Sequence, residues 1–201
     1  MAGRTRDRPA RQPPADGGAK IVSAILKNAN VFKTGKGKTT VDPDKAPEAV
    51  LVLRRGTGFH AADFDRKARD LKKLADAGKL KKATPAERGK VWDPKYKISR
   101  TKPNTHRWRM IRQIDKSPER KASAARTRAG ILLPLRKGYA PQPGDGGLDP
   151  DHIHELQLDG GDEYTNLRLM DAYTNRTMGS EIQNALRDVP FGTRIRIEIE
   201  D

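Results

Sequence analysis

Residues 149–180 read DPDHIHELQLDGGDEYTNLRLMDAYTNRTMGS. Asp151-His152 stands at the end of a short extended piece. Gly160-Gly161 marks a turn. Asn166 precedes an apolar strand, Leu167 to Met170. Asp171 begins or caps a helix that carries Asn175, Gly179 and Ile182 and ends near Asp188-Val189-Pro190. The stretch thus predicts a hairpin followed by a helix packed against both arms. Asp151 and His152 lie on the first arm, Asn166 near the turn and Asn175 on the helix. Side chains from strand and helix can then converge on one point.

The residue types that meet there suit phosphodiester hydrolysis. A base must take a proton from water, and an imidazole is matched to that task near neutral pH. A hard cation must polarise the phosphate and neutralise the leaving oxygen. Oxygen ligands must hold that cation, and Asp and Asn side chains are the right type for Mg²⁺ or Mn²⁺. Asp151, His152 and Asn175 supply the set.

In these residues the sequence resembles the HNH endonuclease family, whose fold is the ββα-metal, or His-Me, finger. The family's pattern is Asp-His, then an Asn, then an Asn or His on a helix; the separations here, 14 residues from His152 to Asn166 and 9 from Asn166 to Asn175, match it. The Gly-Gly before the middle Asn and the Leu after it match too. The resemblance covers residues 149–190. The wording DHIxELQLxGG…NLxLxD…TNRTxGxxI is similar to nuclease toxin domains of bacterial interbacterial or injected effectors. The resemblance implies that His152 is the general base and that Asp151 and Asn175 ligate one divalent metal. Mg²⁺ is the first expectation, with Mn²⁺, Ni²⁺ and Zn²⁺ as alternatives. Asn166 would bond loop backbone so that His152 points correctly. Glu155, His154 and Arg176 are accessory candidates, Arg176 for phosphate contact. Two departures stand out. Many members carry Pro three residues after the base, where this chain has Glu155; and the zinc-stapled variants carry CxxC pairs, whereas this chain has no Cys.

Outward from this stretch, composition sets the frame. Hydrophobic residues are 34% of the 201, below the roughly 45–50% of ordinary globular chains, so one modest core is expected. No apolar run approaches the ~18–20 residues of a membrane span, and the start has no secretory h-region. Without cysteine, a disulfide scaffold and a thiol nucleophile are excluded. Net charge is +15 but uneven: residues 151–201 hold 5 Lys+Arg against 11 Asp+Glu, the first 150 hold 36 against 15. A strongly basic body beside an acidic site attracts polyanions, nucleic acid first among them. Lys33 to Thr40 is a basic loop rather than a phosphate-binding loop, because Gly37-Lys38-Thr39 would require Gly where Phe32 stands.

The expected fold is α+β: a disordered tail (1–18), a basic, mainly helical, DNA-gripping region (19–140), and the nuclease finger with a C-terminal strand (141–201). Ala49 to Leu53 reads as a strand. Phe64, Ala68, Leu71 and Ala75 predict a helix over 61–77, with Arg66, Lys67, Arg69, Lys72 and Lys73 on its outer side and Gly78 as terminator. Residues 79–104 read as a long loop. Thr105 is read as the cap of a helix over 106–114, and Ser117-Pro118 as the start of another that closes near Gly130. Arg66, Lys72, Lys73, Arg107, Arg109, Arg112, Arg126 and Arg128 are the nucleic-acid-binding candidates. Residues 193–199, TRIRIEI, alternate as a half-buried strand.

The expected function is a metal-dependent DNA endonuclease with little sequence preference, acting as a toxin or effector; RNA stays open as a substrate. The implied partners are a cognate immunity protein and a secretion or contractile-injection apparatus, with no membrane. The chain would be made in a bacterial cytoplasm and delivered into a target cell. The alternatives are a phage or mobile-element nuclease acting in its own cell, and a catalytically inactive basic nucleic-acid-binding protein.

Overall fold

A computed structural model describes residues 48–84, 101–116 and 122–200 in full, together with the backbone of 22–25, 31–34, 38–41, 90–93, 98–100 and 121. The tail expected to be disordered, the tip of the basic loop (35–37) and Ser117-Pro118 lie outside the described residues. The fold is mixed α+β. In chain order the elements are β1 (Val22–Ile25), β2 (Val31–Thr34), β3 (Lys38–Val41), β4 (Glu48–Arg54), α1 (Ala61–Asp76), β5 (Lys90–Asp93), β6 (Ile98–Thr101), α2 (Lys102–Asp115), α3 (Lys121–Leu132), β7 (Leu148–His152), β8 (Leu167–Asp171), α4 (Ala172–Ala185) and β9 (Arg194–Glu200).

The strand read at Ala49 to Leu53 is the middle of a three-stranded sheet, β1-β4-β9. Its five apolar residues run without alternation because both faces are covered: Ala49, Leu51 and Leu53 enter the main core, and Val50 and Val52 are buried as well. β9 pairs parallel to β4, with Ile195 opposite Ala49 and Ile197 opposite Leu51. Ile195 and Ile197 are buried as the alternation in 193–199 predicts, but Ile199, near the strand's end, is exposed.

Helix α1 follows the predicted stripe: Phe64, Ala68, Leu71 and Ala75 are buried and Gly78 closes it at φ +69. Removing Leu71, which is wholly buried, would cost about 2–5 kcal/mol as Leu71→Ala. The same core takes Leu158, Met170, Met178, Ile182, Leu186 and Val189. One core therefore joins residues on both sides of the boundary expected at 140, and the last strand completes a sheet begun in the N-terminal part.

Three local expectations are corrected. Residues 79–104 hold an antiparallel pair, β5 with β6, where a loop was expected; KVWD and ISRT carry the β-branched and aromatic residues that favour strands. The region expected to be mainly helical thus contributes six strands. α2 starts at Lys102, not after Thr105, because Pro103 is tolerated in its first turn. Thr101 is its cap residue, and Thr105 Oγ1 donates to the Thr101 carbonyl. α3 runs through Gly130 to Leu132; a Cβ at Gly130 would stand 2.6 Å from the Gly146 carbonyl, so only glycine lets the helix lie against the loop that leads into β7.

Candidate active site

The stretch 148–185 forms two antiparallel strands followed by a helix, β7-β8-α4. Asp171 caps α4: its carboxylate accepts from the Thr174 N–H at 2.8 Å and from the Thr174 hydroxyl at 2.7 Å. α1 fixes this corner from outside, since Asp63 accepts from the Asp171 N–H at 2.8 Å and Thr174 Oγ1 accepts from the His60 N–H at 2.9 Å. At its far end α4 stops at Ala185, before the expected 188–190. There the Lys82 ammonium donates to the carbonyls of Leu186, Arg187 and Val189.

β7 and α4 wall one cleft of about 1230 Å³, lined by Asp151, His152, Glu155 and Asn175 among others. Asp149, Arg107 and Arg176 line it too. The three residues given to base and metal by the sequence are therefore brought to one cavity. His152 is buried, and its Nε2 lies 2.9 Å from Asp162 Oδ1. The Asp162 side chain thereby orients the ring from its Nε2 edge. Asp162 sits just past the Gly-Gly turn, and its part was not foreseen.

Asn166 binds the chain between the two turns. Its Oδ1 accepts from the His154 N–H at 2.8 Å, and its Nδ2 donates to the carbonyls of His154 at 2.8 Å and Gly161 at 2.7 Å. Its own carbonyl accepts from the Ile153 N–H at 2.8 Å. These bonds hold the backbone just after His152. The Gly-Gly turn needs its first glycine for space: a Cβ at Gly160 would stand 2.0 Å from the His154 carbonyl oxygen.

Asp151 is 2% exposed and is paired with a lysine that is equally buried. Lys67 Nζ lies 2.7 Å from Asp151 Oδ1 and 2.9 Å from Glu155 Oε1, and it also donates to the His152 carbonyl. Burial works against the Lys67 charge, but Glu155 and Asp151 outweigh it and hold its pKa above the ordinary lysine value. Burial, with Glu155 close by, pushes the Asp151 carboxyl up against the pull of Lys67 and Arg168. Asp151 Oδ2 is buried with no hydrogen-bond partner; Arg168 Nε, across the hairpin, is 4.0 Å away. Lys67 was expected on the outer side of its helix. It lies three residues after Phe64 and four before Leu71, on the buried stripe, and that spacing was the available signal.

Asp149, one pleat before Asp151, carries two guanidinium groups. Arg107 Nη2 donates to Oδ1 at 2.7 Å and Arg176 Nε to Oδ2 at 2.6 Å. Arg107 also binds Asn104 Oδ1 at 2.7 Å, and burial lowers its pKa despite Asp149. It is thus part of the cleft wall, not of an outer helix face. Arg176 is raised, chiefly by its hydrogen bonds to Asp149.

The other basic candidates scatter. Arg66 pairs with Asp63 at 2.6 Å and donates to the Leu169 carbonyl at 3.1 Å, so it ties α1 to β8. Lys72 pairs with Asp76 at 3.0 Å, and Arg128 with Asp115 at 3.0 Å. Arg109 lies 3.7 Å over the Tyr164 ring. Lys73 and Arg126 are exposed and Arg112 is half-buried. His154 leaves the cleft: its Nε2 lies 2.8 Å from the Leu158 carbonyl, and it lines a second cavity.

Among the described residues no group of three or more His, Cys, Asp or Glu side chains is arranged to hold a metal. The donors present are of another composition: Asp151, whose Oδ2 accepts no hydrogen bond and lies 4.0 Å from Arg168 Nε, and Asn175, whose side chain makes no hydrogen bond among the described residues. Both offer hard oxygen, which suits Mg²⁺ or Mn²⁺. Among the described residues no helix is long and apolar enough to cross a membrane. Comparison with protein-family models, with curated proteins and with solved structures gives no match.

Proposed function

We propose that the chain is a metal-dependent endonuclease that hydrolyses DNA phosphodiester bonds with little sequence preference, using a ββα-metal finger made of β7, β8 and α4. The observation that carries this reading is the meeting of Asp151, His152 and Asn175 in one cleft. In the proposed reaction the His152 imidazole takes a proton from water as the water oxygen bonds to phosphorus and the P–O bond to the leaving oxygen breaks. Asp162 holds the ring through Nε2 and stabilises the imidazolium that forms. Asn166 fixes the backbone that aims the ring. A divalent cation held by Asp151 and Asn175 would polarise the phosphate and neutralise the leaving oxygen. Two features support the fit to such a cation. Asp151 Oδ2 is buried without a hydrogen bond, and the carboxylates of Asp151 and Glu155 outnumber the Lys67 ammonium by one charge, Arg168 being shared with Asp70.

The cleft is larger than the roughly 300–1,000 Å³ of sites for small ligands, and it is open to a polymer. Its cations, Arg107, Arg176 and Arg187 among them, suit backbone phosphates, which carry no base sequence. An unspecific nuclease harms its producer unless restrained, so the same reading makes the chain a toxin or effector with an inhibitor protein as partner. The test is incubation of the full chain with supercoiled plasmid. Nicked and linear products with Mg²⁺, their loss with EDTA, and cut ends spread over many sequences are expected. An intact plasmid, or cuts at one short sequence, would contradict the proposal. Harmless expression of the active chain without an inhibitor would contradict the toxin part alone.

A further inference from the structure

Helix α1 delivers a cation to the centre of the site. Lys67 is 1% exposed, and its ammonium meets three acceptors: Asp151 Oδ1 at 2.7 Å, Glu155 Oε1 at 2.9 Å and the His152 carbonyl. An ammonium has three N–H donors, so this one is saturated. Two carboxylates against one ammonium leave one negative charge in excess. Arg168 does not remove it, because Arg168 is also paired with Asp70. Asp151 Oδ2 is buried and accepts no hydrogen bond, and Asp151 and Glu155 both line the cleft.

We propose that Lys67 is the resident cation of this site and sets its affinity for a divalent ion: it holds Asp151 and Glu155 in place when no ion is bound, and it weakens the ion's hold by like-charge repulsion. The inference rests on the cation site of the reading above but not on its cleavage chemistry. With Lys67 present, a doubly charged ion over-compensates a single excess charge. Without Lys67 the two carboxylates carry two charges, which one divalent ion would balance. Charges a few ångströms apart near a protein surface interact by several times the thermal energy. Removing Lys67 is therefore expected to tighten ion binding tenfold or more, while the ion-free protein loses stability because two adjacent carboxylates, one of them buried, lose the ammonium they share.

The test uses Mn²⁺ alone as probe on the full chain, with isothermal titration for affinity and thermal unfolding for stability. Lys67→Met keeps the stem and removes the charge. The expected result is Mn²⁺ binding at least tenfold tighter than in the wild type, a lower Tm in EDTA, and a larger rise in Tm on adding Mn²⁺. Equal or weaker binding would overturn the proposal. If Lys67→Met folds only with Mn²⁺, the proposal is supported. If it folds under neither condition, Glu155→Gln decides: it keeps Lys67 and cancels the excess charge, so Mn²⁺ affinity should fall at least tenfold, and an unchanged affinity would overturn the proposal. Plasmid left uncut while the Mn²⁺ affinities shift as stated would sink the nuclease reading and leave this one standing.

Discussion

His152 and His154 are two residues apart, yet they line different cavities. The first faces the cleft between β7 and α4, which Asp151, Glu155, Asn175 and three arginines also line. The second lines a smaller cavity of about 490 Å³ on the α1 side, with Leu74, Ala77 and Ile153. On an ideal strand the two imidazoles would share a face. They do not, because β7 ends at His152 and the chain then bends into the loop that Asn166 grips on both sides of His154. Their partners differ accordingly: a carboxylate that can stabilise an imidazolium for His152, a backbone carbonyl for His154. What sets the two histidines apart here is the partner and the cavity, and the backbone sets both.

Mutation of each member of that contrast should separate them. The largest effect is expected for His152→Ala, a loss of plasmid cleavage of about 10²–10⁴-fold with DNA binding retained, read by single-turnover assays and by binding titration. Equal activity in the mutant would remove His152 as base. Asp162→Asn keeps the shape and removes the charge behind the ring. Its cleavage rate should fall on the order of 10- to 100-fold at unchanged DNA affinity, and an unaltered rate would reduce Asp162 to a surface contact.

Asn166→Ala removes the clamp that sends His154 away from the cleft. Urea unfolding should show a loss of about 1–3 kcal/mol, since the His154 N–H and two carbonyls lose their partner. Cleavage should fall with it, and a stable, fully active variant would show that the clamp does not aim the base. His154→Ala is the smallest change, with cleavage within about threefold of wild type. A loss comparable to that of His152→Ala would erase the distinction between the two cavities.

The hairpin and helix were legible because their signals are local. The Gly-Gly turn, the apolar run 167–170 and the Asp171 cap each lie within a few residues of what they determine. The stripe on α1 was legible for the same reason. Lys67 was misplaced because lysine on a basic helix reads as solvated, although its spacing from Phe64 and Leu71 put it on the buried side. Its carboxylate partners lie more than eighty residues away in Asp151 and Glu155, and no periodicity in α1 records them. The burial of Arg107 is set in the same way, by the distant Asp149. The β4–β9 pairing spans a still longer stretch of chain, joining residues 48–54 to 194–200. Asp162 follows no motif spacing; it can be found only once the loop after Gly160-Gly161 is folded over His152.

If an imidazole from the hairpin and an amide from the following helix serve one cation-dependent reaction, their loss must act on different parameters. The measurement is the single-turnover cleavage rate against Mg²⁺ concentration for the wild type, His152→Ala and Asn175→Ala. Asn175→Ala is expected to move the half-maximal Mg²⁺ concentration upward tenfold or more, on the order of 1.4 kcal/mol of ion binding, with a near-normal rate at saturation. His152→Ala is expected to lower the saturated rate and leave that midpoint in place. Curves for Asn175→Ala that overlay the wild type at every Mg²⁺ concentration would rule out a shared cation.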